Sequence, residues 1–226
     1  MTHPEPTALS VAAPEPTTGT SYGGLFIALE GGDGAGKSTQ LALLRQWLES
    51  LGRTVVVTRE PGGTPFGRHV RDLVLHGDHV APRAEALLFA ADRAHHVETL
   101  VRPALERGDV VLTDRYLDSS VAYQGAGRDL GADEVRDLSL WATRGLLPDL
   151  TVVLDIAPQA GRARRGDVHD RLESEPDDFH GRVRQHFLDL AAREPQRYLV
   201  VAADRSRDDI QAAVRERVQA LLEHGS

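Results

Sequence analysis

Residues 31–38 read Gly-Gly-Asp-Gly-Ala-Gly-Lys-Ser, the pattern G-x-x-x-x-G-K-[ST]. Glycines at these positions let the backbone curl so that successive N–H groups converge on an anion, and the lysine adds a compact cation on a flexible stem. That chemistry suits the phosphates of a nucleotide, and ATP is the expected ligand of Gly31, Gly32, Asp33, Gly34, Ala35, Gly36, Lys37, Ser38 and Thr39. Lys37 is the only lysine among 26 basic residues, and asparagine is absent. The bias has the look of G+C-rich coding. A lysine kept here alone fits a position that must follow a moving phosphoryl group, which a planar guanidinium does less well.

A second cluster follows the apolar run 110–113. Asp114 would stand at the carboxyl end of a buried strand beside the phosphate loop, placed to hold Mg²⁺ through water while Ser38 binds it directly. The bland alternative is a helix N-cap, because a helical pattern follows. Arg115 can grip a phosphate with two parallel N–H bonds. Asp33 is at odds with its surroundings. A carboxylate in an anion-binding loop must face a hydroxyl or a metal's waters, unless it is a plain turn aspartate.

Residues 114–124, Asp-Arg-Tyr-Leu-Asp-Ser-Ser-Val-Ala-Tyr-Gln, resemble the signature D-R-Y-x-x-S-x-x-A-Y-Q of the thymidylate kinases, P-loop nucleoside monophosphate kinases. Residues 58–64 match the T-R-E-P-G-G-T segment of the family's bacterial members, 88–93 (Leu-Phe-Ala-Ala-Asp-Arg) its base-binding helix, and 170–173 (Asp-Arg-Leu-Glu) its lid. The motifs occur in the family's order, and the resemblance spans about residues 24–222. It implies transfer of the γ-phosphoryl group of ATP to dTMP, giving dTDP, with Mg²⁺. It implies that Phe89 stacks on thymine and that Arg93, one turn on, reaches the base's carbonyl edge. Ser120 and Gln124 would meet the hydrogen-bonding edge, Tyr123 would line the sugar, and Asp33 would accept from the 3′-OH. Arg71 and Arg115 would hold the acceptor phosphate, with Glu60 near the metal and phosphate network. Read without the resemblance, a helical Phe89 is more simply core.

The resemblance also implies a mobile lid, about residues 160–175, whose arginine closes over ATP. Arg162, Arg164, Arg165 and Arg171 are the candidates, with Arg165 the first choice; Lys37, Arg71 and Arg115 complete the catalytic set. On residue type alone the arginine run is a solvated helix face. Family members are typically homodimers, and the apolar positions Ala86, Leu87, Ala90, His95 and Val97 on the helical stretch 82–101 are compatible with that. His95 and His96 read as surface positions without a role.

These groups need a scaffold. Five short apolar runs, 25–29, 54–58, 110–113, 150–154 and 198–202, are continuous rather than alternating, as in strands buried on both faces of a parallel sheet. Helical patterns fill the gaps at about 37–51, 66–76, 82–101, 116–124, 133–144, 176–193 and 207–223. The alternation predicts a three-layer α/β/α P-loop fold with a five-stranded parallel sheet and a short lid. Residues 1–22, rich in Pro, Thr and Ala, read as a disordered tail, and 23–226 as one kinase domain. A net charge of −8 speaks against a nucleic-acid footprint. No apolar stretch is long enough to span a membrane, no signal peptide is evident, and a cytoplasmic enzyme is the expectation. Cysteine is absent, which removes disulfides and thiol catalysis. Two rivals stay open: a kinase of another nucleotide or of a deoxynucleoside, with Glu60 recruited as base, and a non-catalytic nucleotide-binding switch.

Overall fold

The five apolar runs become strands: β1 Leu25–Gly31, β2 Val55–Arg59, β3 Val110–Asp114, β4 Leu150–Asp155 and β5 Tyr198–Ala202. A computed structural model describes residues 22–164 and 170–224 of the chain. All four strand pairings are parallel, in the order β2-β3-β1-β4-β5. The central strands β1, β3 and β4 are almost wholly buried, which is why their runs are apolar without alternation. The register pairs Leu29 and Arg59 with Asp114, and Gly31 with Leu154. The phosphate loop, Arg59 and Asp114 therefore share the carboxyl edge of the sheet, where ligands bind in open α/β folds.

Helices cover both faces. They are α1 Lys37–Ser50, α2 Pro65–Arg71, α3 Pro82–His96, α4 Arg102–Glu106, α5 Leu117–Ser120, α6 Ala132–Thr143, α7 Pro158–Ala163, α8 Asp177–Arg193 and α9 Arg207–His224. On one face, Leu41, Leu44 and Leu48 of α1 join Ile210, Val214 and Val218 of α9 over the sheet. Their spacings, i, i+3, i+7 in α1 and i, i+4, i+8 in α9, give each helix a single apolar stripe. The opposite face carries two further clusters, built on Val97, Val101 and Leu117 and on Phe179, Val183 and Phe187. The α/β/α layering is that of a P-loop fold.

Three expected helices differ in pitch. The stretch 66–76 is α2 followed by a π-turn segment at Asp72–His76. The stretch 82–101 is α3 followed by a π segment at Val97–Val101, and the helix then continues as α4 through Pro103. Proline cannot donate to the carbonyl four residues back, and the wide turn just before it, with the Arg102 N–H on the Val97 carbonyl, opens the ladder there. The stretch 116–124 is the short α5 followed by a π segment at Val121–Gly127. The helix α7 leaves no mark in the sequence, because six residues with an internal glycine carry no periodicity. Tyr22, at the end of the expected tail, packs on the cluster of Val97, Val101 and Leu117, its hydroxyl and ring meeting the Arg102 guanidinium. In the expected lid, α7 forms the start and residues 171–174 a turn; Arg165 lies outside the described residues.

Candidate active site

The phosphate loop leaves β1 and enters α1 through Gly36, which is left-handed at φ 94°. Lys37 is buried, and its Nζ donates to the Gly31 and Gly32 carbonyls at 3.1 and 3.0 Å. Burial holds its pKa below the ordinary lysine value, and Arg115 adds to this against the pull of Asp33, Asp114 and Glu30. The loop lies against α7 so closely that a Cβ on Gly34, itself at φ 78°, would come within 2.4 Å of the Gly161 carbonyl. Only glycine fits there. Gly31 and Ala35 shape the loop, Ala35 by pointing into the core, while Asp33, Gly34, Gly36, Lys37, Ser38 and Thr39 line the cavity above it.

Ser38 Oγ donates to Asp114 Oδ2 at 3.3 Å. The other carboxylate oxygen, Asp114 Oδ1, is buried with no hydrogen-bond partner among the described residues. An orphaned carboxylate oxygen beside a serine hydroxyl is a donor set that fits a hard divalent cation. Among the described residues no group of three or more His, Cys, Asp or Glu could hold a metal. The pair therefore suits an ion whose other ligands are phosphate oxygens and water, the habit of Mg²⁺.

Arg115 stands at φ 70°, a left-handed conformation costly for a residue with a Cβ. Glu30 supports it. Its fully buried carboxylate accepts from the N–H groups of Tyr116 at 2.8 Å and Ser119 at 3.1 Å, and from Ser119 Oγ at 2.6 Å. The chain is thus turned so that the Arg115 guanidinium donates to the Gly31 carbonyl, Ser119 Oγ, Asp33 Oδ1 and the Tyr123 hydroxyl. Tyr123 in turn donates to Asp33 Oδ2 at 3.3 Å. Asp33 is thereby part of a bonded triad and more than a turn residue. Burial, reinforced by Asp118, pushes the Glu30 carboxyl up to about 7 against the opposing pull of Arg115.

At the other end of the cavity Phe89 lies with one part in the core and one lining the wall. Arg93 is almost fully buried, with Nε on Glu60 Oε2 at 2.7 Å, Nη1 on Ser139 Oγ, and Nη2 on the Tyr116 carbonyl and Ser120 Oγ. Glu60 Oε1 pairs with His96 Nδ1 at 2.8 Å, and His96 Nε2 meets Thr58 Oγ1 at 2.7 Å. The Glu60 carboxylate is taken up by Arg93 and His96, while its backbone N–H donates to the Asp114 carbonyl at 2.9 Å. One expectation is corrected here. His96 is fully buried and bridges Glu60 to Thr58, whereas His95 is exposed as expected. Burial raises the Glu60 carboxyl, but Arg93 and His96 more than offset this and leave it below the usual range. Burial and nearby Glu60 lift Asp92 to about 6.

Arg71 is half-buried, donates to the Pro61 carbonyl at 3.1 Å and lines the cavity with Arg59 and Arg115. Burial and the neighbouring charges of Arg59 and Arg115 lower its pKa, a sign of cations crowded around a place for an anion. Ser120 and Gln124 both line the cavity, although the turn between them is wider than the α spacing expected. Of the lid arginines, Arg162 pairs with Asp177, and Arg171 turns inward onto the Val74 carbonyl and Glu85. Arg164 lines the cavity. Glu85, Glu30, Arg59 and His96 were missed. Glu85 could have been found as the position one turn before Phe89 on the stripe Glu85, Phe89, Arg93.

One cavity of about 480 Å³ runs from the phosphate loop past these arginines to Phe89, Arg93 and Gln124. Its two ends suit a triphosphate and a base-bearing anion. Comparison with known proteins agrees. Residues 29–214 match the family model described as Thymidylate kinase. The chain is 66% identical to a thymidylate kinase of Clavibacter michiganensis subsp. michiganensis, over 90% of this chain and 98% of that relative. It is 56% identical to one of Bifidobacterium longum, over 88% and 98% of the two chains. The figure for one of Deinococcus radiodurans is 54%, over 84% and 94%.

A raised carboxyl pKa makes stability fall with pH. The contribution of Glu30 is fully present below its ordinary value of 4.5 and is lost as pH rises through about 7. Glu30→Gln removes that dependence. Urea unfolding at about pH 5 and about pH 8 is expected to show the variant gaining about 1–3 kcal/mol on the native chain between the two; a constant difference would contradict the assignment.

Proposed function

The chain belongs to the thymidylate kinase family, and from that premise we propose how its residues divide the work of the reaction it catalyses, ATP + dTMP → ADP + dTDP. The observation that carries the reading is the convergence of Lys37, Arg71 and Arg115 on the stretch of cavity between the phosphate loop and the Phe89 pocket. The attacking atom is an oxygen of the dTMP phosphate, a group already largely ionised near neutral pH (second pKa about 6). No general base is needed, and catalysis is positioning plus neutralisation of charge.

Gly31 to Gly36 and Thr39 bind ATP through the loop, and Lys37 follows the transferred group. Arg71 and Arg115 hold the acceptor phosphate. Phe89 stacks on thymine, Arg93, Ser120 and Gln124 meet its edge, Tyr123 lines the sugar, and Asp33 accepts from the 3′-OH. Ser38 and Asp114 would hold Mg²⁺, which supplies positive charge to the phosphates when bound. Arg164 is the lid arginine we assign to ATP among the described residues; Arg165 keeps its candidacy outside them. Glu60 acts through Arg93. The rival with a neutral nucleoside hydroxyl loses its base, because an ion-paired Glu60 with a lowered pKa is a poor proton acceptor.

Among the described residues no helix is long and apolar enough to cross a membrane; we place the enzyme in the cytoplasm. We further propose a homodimer. The apolar face expected on 82–101 is divided: Ala86, Ala90 and Val97 are buried, whereas Leu87 (57% exposed) and His95 are exposed, His95 lying against the ring of exposed Phe66. That outward face is where a second copy would pack.

ADP formation from MgATP with dTMP, dUMP, dCMP, dGMP, AMP and thymidine as separate acceptors tests the reading. Turnover is expected to be strong on dTMP, weaker on dUMP and slight on the rest; preference for thymidine would overturn it. Lys37→Ala is expected to lower kcat by about 10²–10³-fold with an unchanged circular dichroism spectrum, and near-normal turnover would remove Lys37 from the mechanism. Sedimentation equilibrium of the native chain is expected to give a dimer that Leu87→Glu converts to monomer.

A further inference from the structure

Glu85 is fully buried in α3, one turn before Phe89, and stands behind the cavity wall. Its Oε1 accepts from Gln124 Nε2 at 2.8 Å and lies 3.5 Å from Arg128 Nε, and its Oε2 takes the Arg171 guanidinium. Gln124, itself nearly buried, lines the cavity. A carboxylate paired with two guanidinium groups can only accept, whereas an amide donates through nitrogen and accepts through oxygen. Facing Glu85, the Gln124 amide has one favourable orientation: nitrogen toward Glu85, leaving the carbonyl oxygen as what it offers the cavity.

We propose that Glu85 is a positioning residue that sets base specificity, by orienting Gln124 so that the pocket selects bases carrying an N3–H donor. The proposal builds on the placement of the acceptor's base against Phe89, Arg93 and Gln124 made above. Thymine and uracil present N3–H between two carbonyls, and the Gln124 oxygen accepts it. Cytosine presents an unprotonated N3, which would meet that oxygen as two facing acceptors. A site built to pair a particular polar group rejects the analogue that leaves its buried partner unpaired. Gln124 alone has no such preference, since its amide could flip to offer N–H instead. Glu85 removes that freedom. Its contact with Arg171 also fastens the turn at 171–174, whose Leu172 and Glu173 form part of the same wall.

The test compares kcat/KM for dTMP and for dCMP, each with saturating MgATP, in the native enzyme and in Glu85→Gln, Gln124→Ala and the exchanged pair Glu85→Gln/Gln124→Glu. An amide at position 85 can face Gln124 in either sense. Glu85→Gln is therefore expected to cut the dTMP:dCMP ratio by about 10- to 100-fold, through KM for dTMP, with KM for ATP unmoved. In the exchanged pair the new amide donates to the new carboxylate, whose second oxygen still accepts from N3–H, and the ratio is expected to recover to within about threefold of native. An equal loss on both substrates in Glu85→Gln, or a ratio that stays put, overturns the inference. Should Glu85→Gln not fold, the exchanged pair decides alone. Retention of the ratio supports the inference, and its loss shows that the Gln124 N–H, which a carboxylate lacks, had been facing the base. If Gln124→Ala also leaves the ratio unchanged, the placement of the base fails; if Gln124→Ala moves it and Glu85→Gln does not, only the role of Glu85 fails.

Discussion

A guanidinium taken out of water must be paired, and the way Arg93 is paired ties together most of what surrounds the acceptor end of the cavity. Glu60 from the end of β2, the Tyr116 carbonyl after β3, Ser120 from α5 and Ser139 from α6 all take its N–H groups. His96 closes the far side of Glu60 and is itself held by Thr58 of β2. Removing one partner of such a buried pair typically costs about 3–5 kcal/mol, because the survivor is left charged and dry. The network adds less to net stability than that figure suggests, since burying both charges was costly in the first place. What it supplies is register: α3, α5 and α6 cannot shift relative to the sheet edge without breaking a charged contact. The Phe89 wall inherits that rigidity because it lies on α3.

The phosphate side uses the same device differently. Glu30 spends its carboxylate on backbone N–H groups, holding Arg115 in a left-handed conformation it would otherwise avoid. The gain is direction. From that backbone Arg115 reaches Asp33, Tyr123 and the Gly31 carbonyl together, which places one cation between the loop and the acceptor end. The π segment after α5 contributes too. Its wide turn lets Tyr123 face the Asp33–Arg115 pair while the next residue, Gln124, reaches Glu85 across the cavity wall. Helices widened in this way recur at functional sites because they re-aim side chains that α spacing would stack.

Much of this was legible beforehand, for identifiable reasons. Strands buried on both faces must be continuously apolar, so the five runs and the α/β layering could be read directly. The phosphate loop could be read because its glycines answer a backbone demand that few other residues meet. The resemblance in residues 114–124 then brought Arg115, Ser120, Tyr123 and Gln124 to the cavity, where all four stand. Hidden were the partners rather than the ligand-facing groups. A histidine in a helix carries no mark of burial, and His96 was read as surface although Thr58 and Glu60 enclose it. Nor does Glu60 carry a mark of its partner, because the charge that claims its carboxylate lies 33 residues away in the chain. The pitch changes at 72–76, 97–101 and 121–127 leave no periodic trace, since five to seven residues span little more than one turn.

Missing the partners while finding the contacts follows from how recognition is built. A side chain that meets a ligand must be of a particular type, so residue type alone points to it. A side chain that orients it has only to present the right polarity from behind, and Glu, His or Ser could each do so at several positions. Glu85 shows the consequence. Nothing in its type marks it, yet the direction in which Gln124 offers its amide depends on the carboxylate behind it and on the two arginines that pair with that carboxylate. On the proposed placement of the base, chemical identity in this pocket lies in the wall residues, and the choice between one base edge and another lies one layer further out. Fold and reaction class become readable from sequence well before specificity does, because specificity is carried by contacts whose spacing along the chain is set only by the folded topology.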